Sequence, residues 1–332
     1  MSNRADSLLQ PLAVVLPAFR TRHLGAALDS LARQTDCRFK LYIGDDCSPE
    51  PIANLVGSYT DKIALEYTRF ENNLGGSDLI AHWHRCIALS RGEPWIWVFS
   101  DDDIASPECV AGFLNCVGSN GETGTQLYRF QMDFIDDAGS AYFRPRPHPA
   151  FEDVVQFTAA LLRDQRRAWR APDHIFSRRV YVETGGFVSL PKAIYSDYAT
   201  WQKFSKSEGV STIPDGRVFW RHHRKGTSSG MREQHRRAWH RSAQEYVKWM
   251  FEFAKGNEPL QRLLAKHGRD WFYRQYVFFR PRLSPAETDA VVRFAAETFG
   301  VSHARARIGW HMAFYRDRLR QKLTVKRRRI GP

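Results

Sequence analysis

Two periodicities alternate along the N-terminal part of the chain. An apolar, β-branched run, LAVVLPAF (12–19), is followed by HLGAALDSLARQT, which puts Leu24, Ala27, Leu28 and Leu31 on one helical face. FKLYI (39–43) is followed by the short helical pattern PIANLVGSYT, and IALEYTRF (63–70) by SDLIAHWHRCIALS; WIWVFS (95–100) closes the series. Continuous apolar runs of this length predict strands buried on both faces, and their alternation with helices predicts βαβ units. The expected fold class is therefore α/β, a Rossmann-like, mostly parallel sheet flanked by helices.

In such sheets ligands bind beyond the carboxyl ends of the strands. Three of these ends are polar or acidic: Pro17 to Arg20, Asp45-Asp46, and Ser100 to Asp103. All three are expected to face one crevice. The run Asp101-Asp102-Asp103 needs a reason, because adjacent carboxylates repel. A hard divalent cation, Mg2+ or Mn2+, is one: it takes oxygen ligands and shares its sphere between one or two carboxylates and substrate phosphates. A solvated acidic loop, or a helix N-terminus with Asp103 as capping acid, is the other. A carboxylate at Asp45-Asp46 suits a ribose hydroxyl or a base N–H. Neither GxGxxG nor GxxxxGK[ST] occurs, which argues against a nicotinamide cofactor and a P-loop.

The middle of the chain is mixed, with a hairpin expected around Asp137-Ala138-Gly139, a helix in YSDYATWQKFSKSEG and a strand in RVFWRHH. After Met231 the pattern becomes helical. Ser284, Pro285 and Glu287 form a capping box with proline at the first helical position. In the last helix Ile308, Met312, Tyr315, Leu319 and Leu323 make an apolar stripe flanked by arginines. Residues 304–329 hold ten Lys/Arg against one acid, Asp317, so most of the net charge of +13 sits in one segment. That segment reads as a solvated helix end or as a surface for an anionic membrane. No nucleic-acid module accompanies it, so nucleic acid is not the expected partner.

Five cysteines without a CxxC indicate neither a disulfide framework nor a zinc site, and they read as small buried hydrophobes in a reducing cytosol. No apolar run reaches the roughly 18 residues of a spanning helix, so a soluble or peripheral protein is expected. His82 and His84 fall two apart on a helix, cannot share one metal, and read as surface or groove residues. His174 reads as structural or as lining an acceptor side, and Trp201 as core or as a sugar platform.

Taken together and in order, VVLPAFR with LDSLARQT, LYIGDDCS, NNLGG, WVFSDDDIASP, GGFVSLPKAIYSDYATW and WRHHRKGTSS resemble the inverting glycosyltransferases of family 2, of the bacterial cell-surface glycan type, with the GT-A fold. The resemblance covers residues 12–229. It implies a nucleotide-sugar-binding and catalytic domain over 1–230, leaving a helical, basic C-terminal region over 231–332. It implies that the backbone around Pro17, Ala18, Phe19 and Arg20 lines the nucleotide, that Asp46 binds the base, and that Asn73 and Gly75 form a turn beside it. Asp101 would contact the ribose, Asp102 and His223, with His222 as the fallback, would hold Mn2+ or Mg2+, and Asp197 would be the catalytic base. The donor would be a nucleotide-sugar, in the first place a UDP-sugar. A hexosyl or N-acetylhexosaminyl group would pass to a saccharide or lipid-linked glycan, in the cytoplasm or at the inner face of the cytoplasmic membrane. Four positions depart from the family pattern: Arg20 for Asn, Ser100 for the first acid, Ser196 for Glu, and Gly226 for Asn. A nucleotidyltransferase, or a non-catalytic binding protein on the same fold, is the alternative.

Overall fold

The computed structural model describes residues 10–120, 124–222, 233–277 and 283–328. The chain forms two compact units, 1–230 and 231–332. In the first, the strands are β1 Leu12–Ala18, β2 Phe39–Asp45, β3 Leu65–Arg69, β4 Trp95–Val98, β5 Ile104–Ala105, β6 Leu127–Ile135, β7 Ala141–Phe143, β8 Phe151–Glu152, β9 His174–Ser177 and β10 Val210–Arg221. Its helices are α1 Leu24–Ala32, α2 Ile52–Gly57, α3 Leu79–Ile87, α4 Cys109–Asn120, α5 Val154–Arg163, α6 Arg178–Glu183 and α7 Ser196–Phe204.

The strands form one sheet in the order β3-β2-β1-β4-β9-β6-β10-β5, with β7 on β6 and β8 on β10. β3, β2, β1 and β4 run parallel, as βαβ units require. Beyond β4 the sheet is mixed: β9 lies antiparallel between β4 and β6, and β10 runs parallel to β6. Alternate residues of β1 feed two cores. Leu12, Val14, Leu16 and Ala18 pack on one face with Leu24, Leu28 and Ile43, while Ala13 and Val15 pack on the other with Tyr42, Ile80 and Ile96. Every one of these side chains is buried, each contributing on the order of 1.5–3 kcal/mol if large and aliphatic. Helix α3 approaches β2 so closely that a Cβ on Gly44 would overlap Cys86 Sγ, so glycine is required there.

The second unit is helical: α8 Glu233–Phe253, α9 Glu258–Val277, α10 Pro285–Thr298 and α11 His303–Arg328. The expected capping box starts α10, with Glu287 N donating to Ser284 Oγ and Ser284 N to Glu287 Oε2. No helix among the described residues is long and apolar enough to cross a membrane. All five cysteines are free thiols, but only Cys86 and Cys109 are buried; Cys47 and Cys116 are half-buried and Cys37 is exposed, which corrects the expectation of five buried side chains.

Candidate functional site

A cleft of about 340 Å³ opens beyond the carboxyl ends of β1, β2 and β4. Pro17, Ala18, Phe19, Asp46, Asn73, Gly75, Gly76, Ser100, Asp101 and Asp102 line it, together with Leu79, His82 and Trp83 of α3, and Ala171. The three strand ends that the sequence singles out thus meet at one place.

The loops are tied together by their own carboxylates. Asp101 Oδ2 accepts from Phe19 N at 2.9 Å and Arg20 N at 3.1 Å, so the β4 loop fixes the β1 loop. Arg20 enters this site through its backbone; the residue itself is exposed and does not line the cleft. Asp46 Oδ1 accepts from Leu74 N at 2.8 Å and Oδ2 from Gly75 N at 2.9 Å, which pins the turn at residues 73–76. Gly76 N closes that turn on Asn73 Oδ1 at 2.8 Å. A Cβ on Gly75 would lie 2.7 Å from Asp46 Oδ2, so the turn needs glycine for close approach. Asp45 does not line the cleft; its buried carboxylate accepts from Tyr67 Oη at 2.6 Å and from the half-exposed Arg69 Nη1 at 2.8 Å.

Arg85 of α3, which the sequence reading passed over, completes this arrangement. Its guanidinium pairs with Asp46, donates to Asn72 Oδ1 and O, and stacks 4.0 Å from the Phe70 ring centroid. Its Nε donates to His82 Nδ1 at 3.0 Å, so that ring nitrogen is an acceptor. Of the two readings of His82, surface or groove, the structure matches the second: it is buried in the cleft wall, and burial pulls it down to about 4, so it is neutral at physiological pH. His84, expected on the surface or in the groove, is half-buried and hydrogen-bonds Tyr181 Oη.

The three consecutive aspartates do different things. Burial, reinforced by the neighbouring Asp102 charge, pushes Asp101 up to about 6. The same two causes hold Asp103 well above the usual carboxylate range. Asp103 caps no helix, because α4 begins at Cys109; its Oδ1 accepts from Arg221 N at 2.7 Å and anchors the end of β10. Arg221 also donates through Nε to Asp102 O at 2.8 Å. Among the described residues no three His, Cys, Asp or Glu side chains are gathered into a metal cage. Asp102 faces the cleft, and His223 lies outside the described residues. Its neighbour His222 stacks on Trp220 with ring centroids 5.6 Å apart.

Asp197 stands in the first turn of α7 and does not line the cleft. Burial pushes it up to about 6, against the opposing pull of Arg170 and of the Tyr198 N–H. Arg170 adjoins Ala171 of the cleft wall, and its guanidinium sits 4.5 Å from the Trp220 ring centroid. The neighbouring Asp173 and His174 are fully buried, 2.7 Å apart, and His174 stacks on the buried Trp201 at 4.4 Å. Both aromatic side chains are therefore core, not acceptor wall.

The segment leading into α7 is strained. Lys192, Ala193 and Tyr195 have φ of 54°, 56° and 65°, a region that costs non-glycine residues on the order of 1–3 kcal/mol each. Leu190 N to Ser196 Oγ and Val188 N to Thr200 Oγ1, both 3.0 Å, hold it in place. The strain brings Lys192 Nζ to 3.2 Å from Gly76 O, on the rim of the cleft. Only the sequence position of this lysine, a few residues before Asp197, could have signalled it.

A Rossmann-like sheet whose acidic strand ends converge on one cleft is the architecture of a nucleotide-binding α/β fold. Residues 13–182 match the family described as Glycosyl transferase family 2, and the chain belongs to that family. An uncharacterized glycosyltransferase of Haemophilus influenzae is 30% identical over 110 residues. That match spans 33% of this chain and 35% of the relative, about a third of its length. Among solved structures, S. aureus TarS 1-349 in complex with UDP-GlcNAc superposes with a TM-score of 0.55 at 14% identity, covering 91% of this chain and 89% of TarS. The mannosyltransferase PcManGT from Pyrobaculum calidifontis, in complex with GDP-Man and Mn2+, gives 0.52 at 14% identity, covering 92% and 81%. At these identities the likeness establishes the fold.

Proposed function

We propose that this glycosyltransferase is metal-dependent and inverting. It transfers a hexosyl or N-acetylhexosaminyl group from a UDP-sugar to a hydroxyl of a saccharide or lipid-linked glycan, in the cytoplasm or at the inner face of the cytoplasmic membrane. Residues 1–230 bind the donor and carry the chemistry. The observation that carries this reading is the convergence of Pro17, Ala18, Phe19, Asp46, Asn73, Gly75, Asp101 and Asp102 on one cleft.

Each residue has work that suits its chemistry. The walls at Pro17 to Phe19 take the base. Asp46 accepts from a base N–H with the lone-pair capacity that its bonds to the turn leave at Oδ2. Asp101, already fixed to the β1 loop, accepts from a ribose hydroxyl. Asp102, with His223, would hold Mn2+ or Mg2+. The residues present fit a hard cation, because the carboxylates of Asp101 and Asp102 both line the cleft and supply oxygen ligands, with positions left for substrate phosphates. When bound, the metal supplies Lewis-acid stabilisation of the departing diphosphate. Lys192 adds a positive charge at the rim. Asp197 takes the proton from the acceptor hydroxyl as it attacks the anomeric carbon; an affinity near 6 leaves it ionised at neutral pH yet basic enough for the task.

The test is calorimetric binding of UDP, GDP, CDP and dTDP, each with Mn2+ and with EDTA, to the wild type and to Asp102→Ala. Binding of UDP that requires both the metal and Asp102 is the expected result. Absence of nucleotide binding to folded protein would refute the donor site, and preference for GDP would refute the donor class.

A further inference from the structure

The C-terminal helix α11 has two apolar faces. Ala306, Trp310 and Ala313 are buried where α11 packs on α9 and α10, and Tyr273 of α9 donates to Ala306 O at 2.8 Å. That face completes the core of the helical unit. On the other side Ile308, Met312 and Tyr315 are 61%, 48% and 64% exposed. Their spacing of four and three residues puts them on one stripe. Arg305, Arg307 and Arg316 are exposed around it, within the segment that holds ten basic residues against one acid.

An occupant of this face has to satisfy both features. A nucleic acid would take the cations and leave the apolar stripe in water. A second copy of the helix would cover the stripe but bring the same positive charge against itself. An anionic bilayer takes both: apolar side chains enter the boundary between headgroups and acyl chains, and arginines meet lipid phosphates. We propose that the outward face of α11 is a docking surface for an anionic membrane, with Ile308, Met312 and Tyr315 as the inserting side chains. This face belongs to the helical unit alone and is independent of the donor cleft.

The test is flotation of the full chain with vesicles of phosphatidylcholine, and of an equal mixture of phosphatidylcholine and phosphatidylglycerol. Wild type is compared with a variant combining Ile308→Ser, Met312→Ser and Tyr315→Ser. These side chains are exposed, so circular dichroism and UDP binding should match the wild type. The wild type should float with the anionic vesicles and not with the neutral ones, and the triple variant should bind at least about tenfold more weakly. Equal binding by the triple variant would show charge alone at work and overturn the insertion. Lack of wild-type binding would overturn the surface outright. A wild-type dimer that becomes monomeric in the variant, without vesicle binding, would assign the face to a second copy.

Discussion

Replacing Asp197 by Asn should remove activity and raise stability together. The folded chain binds the Asp197 proton more tightly than the unfolded chain does, because burial moves the carboxyl from 3.8 to about 6. Between those two values the folded state holds more protons, so the Asp197 contribution to stability falls as pH rises. The loss is complete above about 6 and absent below 3.8. A shift of this size corresponds to a ceiling of roughly 3 kcal/mol at about 1.4 kcal/mol per unit. The side chain keeps some contact with solvent, and screening reduces the expected value to about 1–2 kcal/mol. Asn keeps the oxygen that accepts from Tyr198 N and does not titrate. At neutral pH the variant should therefore melt a few degrees higher than the wild type, and the difference should vanish as pH falls toward 4. Thermal or urea unfolding of both proteins across that range reads the stability. Transfer from a UDP-sugar reads the activity, which in the wild type should rise with pH through about 6 and in the variant should drop by about 10²–10⁴-fold. UDP affinity should be unchanged, because Asp197 does not line the cleft. An Asn variant that is less stable at neutral pH, or a gain that does not depend on pH, would refute the burial argument. Retained transfer would refute the assignment of the base.

Two further substitutions probe the cleft. Gly75→Ala places a methyl against Asp46 Oδ2 and should break at least one charge-assisted bond to the turn; calorimetry should show UDP affinity reduced by about tenfold or more, with the helical unit unaffected. Lys192→Ala should weaken UDP binding by several-fold while leaving uridine binding unchanged, since only the diphosphate carries the charge the ammonium would meet. An equal loss for both ligands would make Lys192 a structural tether of Gly76 instead.

How much of this could be read from the sequence follows from how strongly each feature is determined locally. β1, β2 and β4 are continuous apolar runs because both of their faces are covered, and runs of that kind announce themselves. The second half of the sheet does not. β9 is only His174–Ser177, yet it inserts between β4 and β6, and its partners lie far away in the chain. β10 carries a register shift between Thr212 and Arg217 that interrupts any alternation, so its polar pattern hides a strand of 12 residues. The spacing of His82 and His84 leaves surface and groove open for His82, and the structure puts it in the cleft wall. The periodicity of α3 turns it inward with Ile80, Cys86 and Ile87, where Arg85 Nε donates to its Nδ1 at 3.0 Å and Cys86 Sγ lies 3.6 Å from its Nε2.

The aspartate run shows the same limit at the site itself. The sequence reading offers a cation for Asp102, a ribose for Asp101 and a helix cap for Asp103. The structure divides their roles by partner. Asp101 is spent partly on the β1 loop and Asp103 on β10, two tertiary ties made to residues more than eighty positions away. Of the three, Asp103 alone is fully buried and does not line the cleft. The acidic run is therefore as much a clasp as a ligand set: its flanking members hold together the walls of the cleft that Asp102 faces. Loss of Asp103 should consequently disturb the fold before it disturbs the chemistry, whereas loss of Asp102 should do the reverse.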